Sequence, residues 1–407
     1  MIHFLTGLLI SLAIPQPGQH LPQPGETVLF LGDSNTAAGH FIADLDTYFS
    51  LSNPGKKNIT LINLGLPSET ITGLSERDHP FPRPDVHERL DRALKATSPH
   101  RVVVGYGMND GIYSPFDESR FSKYQEGYKN LLKKTSAINA SATLLTPDPF
   151  EPRAVKGKSR PAGQPEYSYK NPFEDYDSVL AKYAAWQVSQ QTDSMPVADA
   201  HTALVAALKS RRQSKPDFLF SGDGIHPSVS GHWFVAQEIL RAWKAPVGRH
   251  KIASKPQSFP ATIDMTGHLP YVPDPRWEDW VRDSFRKSHG THTLMIKDLD
   301  KGSYQLSWQG KILGKFSESE FAKGIDLNHF QELPFHKLGE ELRKLAAERT
   351  YVLGAAMLTE VGHKRPSTAV GKPIADARKI YDANTIKIQK LLKTNIEFVL
   401  EVILLLH

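Results

Sequence analysis

The chain has 407 residues, 40% hydrophobic and 23% charged, with no cysteine and a formal charge of +5 from 49 basic and 44 acidic side chains. That length allows two or three structural units with a sizeable core, and that composition excludes a fibrous or disordered chain. The lack of cysteine excludes a disulfide framework, a thiol nucleophile and thiolate metal sites; the thin, evenly spread basic excess offers no surface for gripping phosphate backbones, so no nucleic-acid partner is expected.

Met1 to Pro15 reads MIHFLTGLLISLAIP, too short to cross a bilayer but the length of a signal-peptide core. It lacks a positively charged n-region and a clean A-x-A site. Residues 1–25 are therefore read as an atypical export segment, giving a secreted or periplasmic protein; an apolar helix packed on the body is the competing reading. No stable membrane span is expected.

Residues 26–245 alternate short β-branched runs with helical stretches, the pattern of a parallel sheet covered on both faces. Strands are expected at Thr27–Leu31, Ile59–Asn63, Arg101–Gly105, Ala142–Thr146 and Pro196–Ala198. Helices are expected at Pro84–Thr97, Phe121–Ile138, Asp175–Thr192, Thr202–Ser214 and Ser228–Lys244. The fold class is α/β, a flavodoxin-like, doubly wound, five-stranded parallel sheet, in which ligands sit beyond the carboxyl ends of the strands. Ala245–Pro260, rich in Pro, Lys and Ser, reads as a linker. Residues 260–335 read as a small β unit, with hairpins signalled by Gly302 and Gly310. Residues 336–407 read as helical, from Leu338, Leu342, Leu345 and Ala346 and then from Ile380, Ile388, Leu391, Leu392, Ile396, Val399, Leu400 and Ile403 at helical spacing.

Three blocks carry chemistry. Gly32-Asp33-Ser34-Asn35 follows the first strand, where a serine opening a helix can attack with its hydroxyl while its backbone N–H faces an oxyanion; alone, this block suits an N-cap serine equally well. Asp223 precedes His226 by three residues in a loop, so the carboxylate can take the Nδ1 proton and leave Nε2 as a base. Asn109, in the loop after the third strand, offers an uncharged N–H₂ donor for a tetrahedral oxyanion. Asp33, Asp110, Asp223 and His226 also suit a hard-metal hydrolase, but no H-E-x-x-H motif is present, and neither metal nor cofactor is expected.

In order, GDSN at 32–35, NLGLPSET at 63–70, GMND at 107–110 and DGIHP at 223–227 resemble blocks I, II, III and V of the SGNH/GDSL hydrolases, over roughly residues 26–245. The resemblance implies the SGNH hydrolase fold, Ser34 as nucleophile and oxyanion donor, Asn109 as second donor, His226 as base and Asp223 as its orienting partner. Block II commonly supplies a glycine N–H as third donor; here that position is Ser68, whose side chain would narrow the acyl pocket and favour acetyl over long acyl chains. The stretch 73–84 resembles a loop in a bacterial subgroup with an extra C-terminal region, and Glu76, His79 and Arg83 are candidate sugar contacts, with Asp33, Tyr106 and Asp110 beside them; a solvated loop is the alternative. Aromatic residues such as Tyr106, Tyr113 or Trp233 would favour a sugar cleft. The expected function is a serine esterase acting on short acyl esters of small molecules or oligosaccharides. The same triad also suits a lipid esterase, thioesterase or acyltransferase, and the fold suits an idle sugar-binding protein.

Overall fold

The computed structural model describes residues 20–246, 250–254, 260–267, 269–288, 292–394 and 396–405. The apolar Met1–Pro15 segment lies outside them. Five strands form the first sheet: β1 (Thr27–Gly32), β2 (Thr60–Asn63), β3 (Arg101–Gly105), β4 (Ser141–Leu145) and β5 (Val197–Ala198). All pairings are parallel and the order is β2-β1-β3-β4-β5, the doubly wound α/β arrangement expected. Val28, Leu29 and Phe30 are wholly buried in succession, because helices cover both faces and no side of the strand meets water.

Those helices are α1 (Ser34–Ala38), α2 (His40–Ser52), α3 (Leu90–Thr97), α4 (Glu118–Ala137), α5 (Tyr176–Ser189), α6 (Ala200–Arg212) and α7 (Val229–Ala242). One face is packed by α3, α4 and α5, whose Leu90, Tyr128 and Leu180 meet Val102 and Leu144. The other is packed by α2, α6 and α7, whose Ile42, Leu204 and Ile239 meet Phe30 and Val103. α2 has no counterpart in the sequence reading. Its Phe41, Ile42, Leu45 and Phe49 have helical spacing, but the buried Asp44 and Asp46 break the apolar face and obscure the period.

Beyond the α/β unit come β6 (His250–Ser254), β7 (Ala261–Gly267), α8 (Asp279–Ser288), β8 (His292–Ile296), β9 (Ser303–Trp308), β10 (Lys311–Ser317), α9 (Glu318–Lys323), β11 (Ile325–Asp326), α10 (Pro334–Val361), α11 (Ile374–Lys393) and β12 (Ile396–Leu405). Two small sheets result, β10-β9-β12-β7 and β11-β8-β6. Two expectations are corrected. The linker Ala245–Pro260 contains β6, which pairs in parallel with β8. The end of the chain is not helical: β12 is a central strand between β7 and β9. Ile396, Leu400 and Val402 are buried while Glu397 and Glu401 are exposed, a period of two that also satisfies helical spacing when almost every residue is apolar.

α10 joins the two regions. Its Arg349 bonds the buried Asp46 of α2 (Nε–Oδ2 2.7 Å), and its Arg343 pairs with Asp44. At Gly354 the helix passes so close to edge strand β2 that a Cβ there would lie 2.5 Å from the Asn63 carbonyl oxygen. The edge of the parallel sheet is thereby covered.

Candidate active site

The carboxyl end of β1 turns directly into α1. Asp33 caps that helix, its Oδ1 accepting the Asn35 N–H at 3.0 Å, so Ser34 stands first in the helix, at the sheet rim. Gly32 is required for so tight a turn, since a Cβ would fall 2.1 Å from Thr36 Oγ1 and 2.6 Å from the Gly105 carbonyl oxygen. The loop before α7 brings the other two groups. Asp223 Oδ1 accepts the N–H groups of Ile225 and His226, both at 2.9 Å, and its Oδ2 takes His226 Nδ1 at 2.7 Å. His226 Nε2 then lies 2.8 Å from Ser34 Oγ. Burial alone would raise the Asp223 pKa, but these hydrogen bonds hold it well below the ordinary carboxylate value. The bond to Asp223 raises His226 above the usual imidazole value, against the effect of burial.

Ser34, Ser68, Asn109, Tyr113 and His226 line one cavity of about 320 Å³. Asn109 is held by both ends of its amide: Oδ1 accepts the Tyr113 hydroxyl and Nδ2 donates one N–H to the Glu69 carbonyl, each at 3.1 Å. Its second amide hydrogen remains. Ser68 has φ +68°, the left-handed backbone that favours glycine, and Arg83 Nη1 holds its carbonyl at 3.4 Å. The N–H groups of Ser34 and Ser68 donate to no partner among the described residues. The hollow thus has three N–H donors of the kind that stabilise a developing oxyanion. A larger groove of about 740 Å³ lies between α3 and α4, but its Ser98 hydroxyl donates to the Lys95 carbonyl at 3.3 Å and its His100 Nδ1 accepts the Thr27 N–H at 3.1 Å, so its serine and histidine are engaged apart from each other.

The profile of the GDSL-like Lipase/Acylhydrolase family matches residues 30–234. The chain belongs to that family. This hydrolase is 22% identical over 238 residues to an acetylxylan esterase of Geobacillus stearothermophilus, a match covering 53% of this chain and 93% of that one. Its fold matches that of a gut microbial diltiazem-metabolizing enzyme with a TM-score of 0.67 at 17% identity, over 93% of this chain and 98% of the other. It is a carboxylic-ester hydrolase.

Not every sequence candidate reaches the hydrolase's cavity. Tyr106 and Asp110 are wholly buried, and Asp33 is 4% exposed; none of the three lines the cavity. Tyr106 donates to Glu69 at 2.6 Å, and Arg89 grips Glu69 at 2.6 and 2.5 Å while holding the Leu64 carbonyl, so this cluster supports block II from beneath. Asp110 Oδ1 accepts the N–H groups of Ile71 and Thr72, and burial raises its pKa to about 7. Glu76 and Arg83 form a buried bidentate pair, both bonds 2.6 Å, and Arg83 stacks over the Tyr113 ring, 5.6 Å from its centroid. Trp233 packs in the core against Trp277. His79 and Arg83 do line the cavity while Glu76 does not, and Phe81 and Tyr169 stand beside the His79 ring.

Two features escaped the sequence reading. Asn35 Nδ2 donates to the buried Asp148 at 2.8 Å and to the Ile225 carbonyl at 3.3 Å, tying the serine turn to the histidine loop; burial raises both Asp148 and Asp33 to about 7. Arg365, from the segment between α10 and α11, also lines the cavity. Asp148 follows β4, where the rule about strand ends could have flagged it. Nothing local marks Arg365.

Proposed function

We propose that this hydrolase is a serine esterase that removes short acyl groups, acetyl above all, from carbohydrate esters, with Ser34, His226 and Asp223 as its triad. The observation that carries this reading is the continuous hydrogen-bonded line from Asp223 through His226 to Ser34 Oγ, at 2.7 and 2.8 Å. Ser34 Oγ attacks the ester carbonyl as His226 Nε2 takes its proton, and Asp223 steadies the imidazolium. The oxyanion meets the N–H groups of Ser34 and Ser68 and the Asn109 amide. His226 returns the proton to the leaving alcohol, and water then cleaves the acyl-enzyme by the same steps.

A carbohydrate substrate is supported by the half-buried rings of the cavity, Phe81, Tyr169 and His79, since such rings offer apolar faces to a sugar, and by the acetylxylan esterase likeness. A short acyl group is supported by Ser68, which puts a side chain where a glycine would leave room. The test is hydrolysis of p-nitrophenyl acetate and acetylated xylo-oligosaccharides, with p-nitrophenyl esters of increasing chain length alongside. Ser34→Ala should abolish turnover and leave the melting curve intact. Substantial activity in that variant would remove Ser34 from the mechanism, and a preference for long chains would refute the acetyl assignment.

A further inference from the structure

The family profile ends at residue 234, yet one residue of the cavity lining, Arg365, comes from far beyond it. The segment Gly362–Pro373 leaves α10 and is fastened beside the site. Arg92 holds the Val361 and Gly362 carbonyls at 2.6 and 3.2 Å, Lys364 pairs with Glu88 at 2.5 Å, and the Gly371 N–H returns to Thr359 Oγ1 at 2.8 Å. This anchoring sets Arg365 into the cavity wall, its guanidinium 5.6 Å from the centroid of the Phe81 ring.

The charge of Arg365 is unanswered. No carboxylate pairs with it among the described residues. Its Nη1 is shared between the Pro366 carbonyl and Thr368 Oγ1, both at 3.3 Å, and its Nε is buried with no hydrogen-bond partner. Glu76 is already paired with Arg83, which also lines the cavity. His79 sits below its ordinary pKa, lowered first by burial, so it adds little positive charge near neutrality. With Nη1 shared and Nε buried, Nη2 is the donor left without a partner among the described residues, and a guanidinium N–H on a cavity wall suits a charge-assisted hydrogen bond to a carboxylate oxygen.

We propose that Arg365 is a specificity residue that receives a carboxylate on the substrate, so that the preferred esters are acetylated carbohydrates bearing uronic-acid groups. This rests on the esterase reading above and adds the substrate's charge to it. The experiment compares kcat/KM for an O-acetylated oligouronide with that for the same compound after its carboxyls are converted to amides, in the full-length protein. The acidic ester should be favoured about tenfold or more in the wild type, the ratio should fall towards unity in Arg365→Gln, and Arg365→Lys should lie between. A flat ratio in the wild type, or one that survives Arg365→Gln, overturns the assignment. Should Arg365→Gln not fold, salt titration of the wild type decides: the ratio must shrink as salt rises, and a salt-independent ratio counts against the proposal. Ser34-dependent cleavage of p-nitrophenyl acetate with a flat ratio defeats the Arg365 assignment alone, whereas absence of any ester cleavage defeats both readings.

Discussion

Gly65→Ala puts the placement of Ser34, the proposed nucleophile, under direct strain. Gly65 packs against the backbone of α1, and a Cβ there would lie 2.3 Å from the Ala37 nitrogen, 2.7 Å from the Thr36 carbonyl carbon and 2.8 Å from the Ala37 Cα. These are backbone atoms, so no rotamer change relieves the clash. Reaching an ordinary contact of 3.4 Å requires α1 and the block II loop to separate by about 1 Å. That separation is opposed by Asn63, whose Nδ2 donates to the Thr36 carbonyl and whose Oδ1 accepts the Gly65 N–H, each at 2.9 Å, and by the Leu66 N–H on the Gly32 carbonyl at 2.9 Å. Overpacking of this kind costs about 1–3 kcal/mol, and a displacement of about 1 Å at the reacting atom costs on the order of 10²-fold in rate. Purified Gly65→Ala should therefore melt earlier and show a kcat on p-nitrophenyl acetate on the order of 10²-fold below wild type. A variant with wild-type kcat and melting temperature would show that α1 and block II need not meet as described, and the argument for a rigidly placed Ser34 would fail.

Asn109→Ala should lower kcat by about 10²–10³-fold, or roughly 3–4 kcal/mol of barrier, with little change in KM; a loss confined to KM would make Asn109 a substrate contact. Ser68→Gly relieves a left-handed backbone at φ +68° and should raise stability by up to about 1 kcal/mol, while widening activity towards butyryl esters; an unchanged chain-length profile would remove Ser68 from the acyl pocket. For pH, the proposed mechanism needs His226 neutral as its base, so kcat/KM should climb through an apparent pKa above the usual imidazole value, in line with its raised pKa. The stability linked to that shift has the opposite sense, being present below the ordinary imidazole pKa and lost as pH rises through the raised value. Asp223→Asn removes the carboxylate charge behind that shift and the tautomer preference it imposes, so the midpoint should move to lower pH and kcat should fall by about 10⁴-fold; a midpoint that stays in place would mean the carboxylate does not set the base.

The parallel sheet and the reactive groups are written locally. Strands buried on both faces read as short β-branched runs, and residues just after β1 and β3 must lie at the rim where ligands bind. GDSN and GMND therefore announce their position as well as their type. Asp223 and His226 are close enough in sequence for the loop to fix their bond by itself, with the Ile225 and His226 N–H groups on Asp223 Oδ1. Their approach to Ser34, across 192 residues of sequence separation, depends on tertiary packing and on the Asn35–Asp148 link in particular.

Polar residues whose partners lie far away in sequence were the least legible. Asp44 and Asp46 disrupt the apolar period of α2, and only Arg343 and Arg349, some three hundred residues later, explain how they can be buried. Tyr106 and Asp110 have the chemistry of substrate contacts, but their burial assigns them to holding block II and the Ile71–Thr72 backbone. β12 was ambiguous because an almost wholly apolar segment fits periods of both two and 3.6; hydrogen bonding to β7 and β9 decided it. Residue types and their order in this chain specify a serine, a histidine, an aspartate and an asparagine at strand ends and loops, because backbone geometry there is local. Which charges meet, and that a C-terminal arginine stands in the wall of an N-terminal cavity, follows only from packing, since long-range pairing leaves no trace in local spacing.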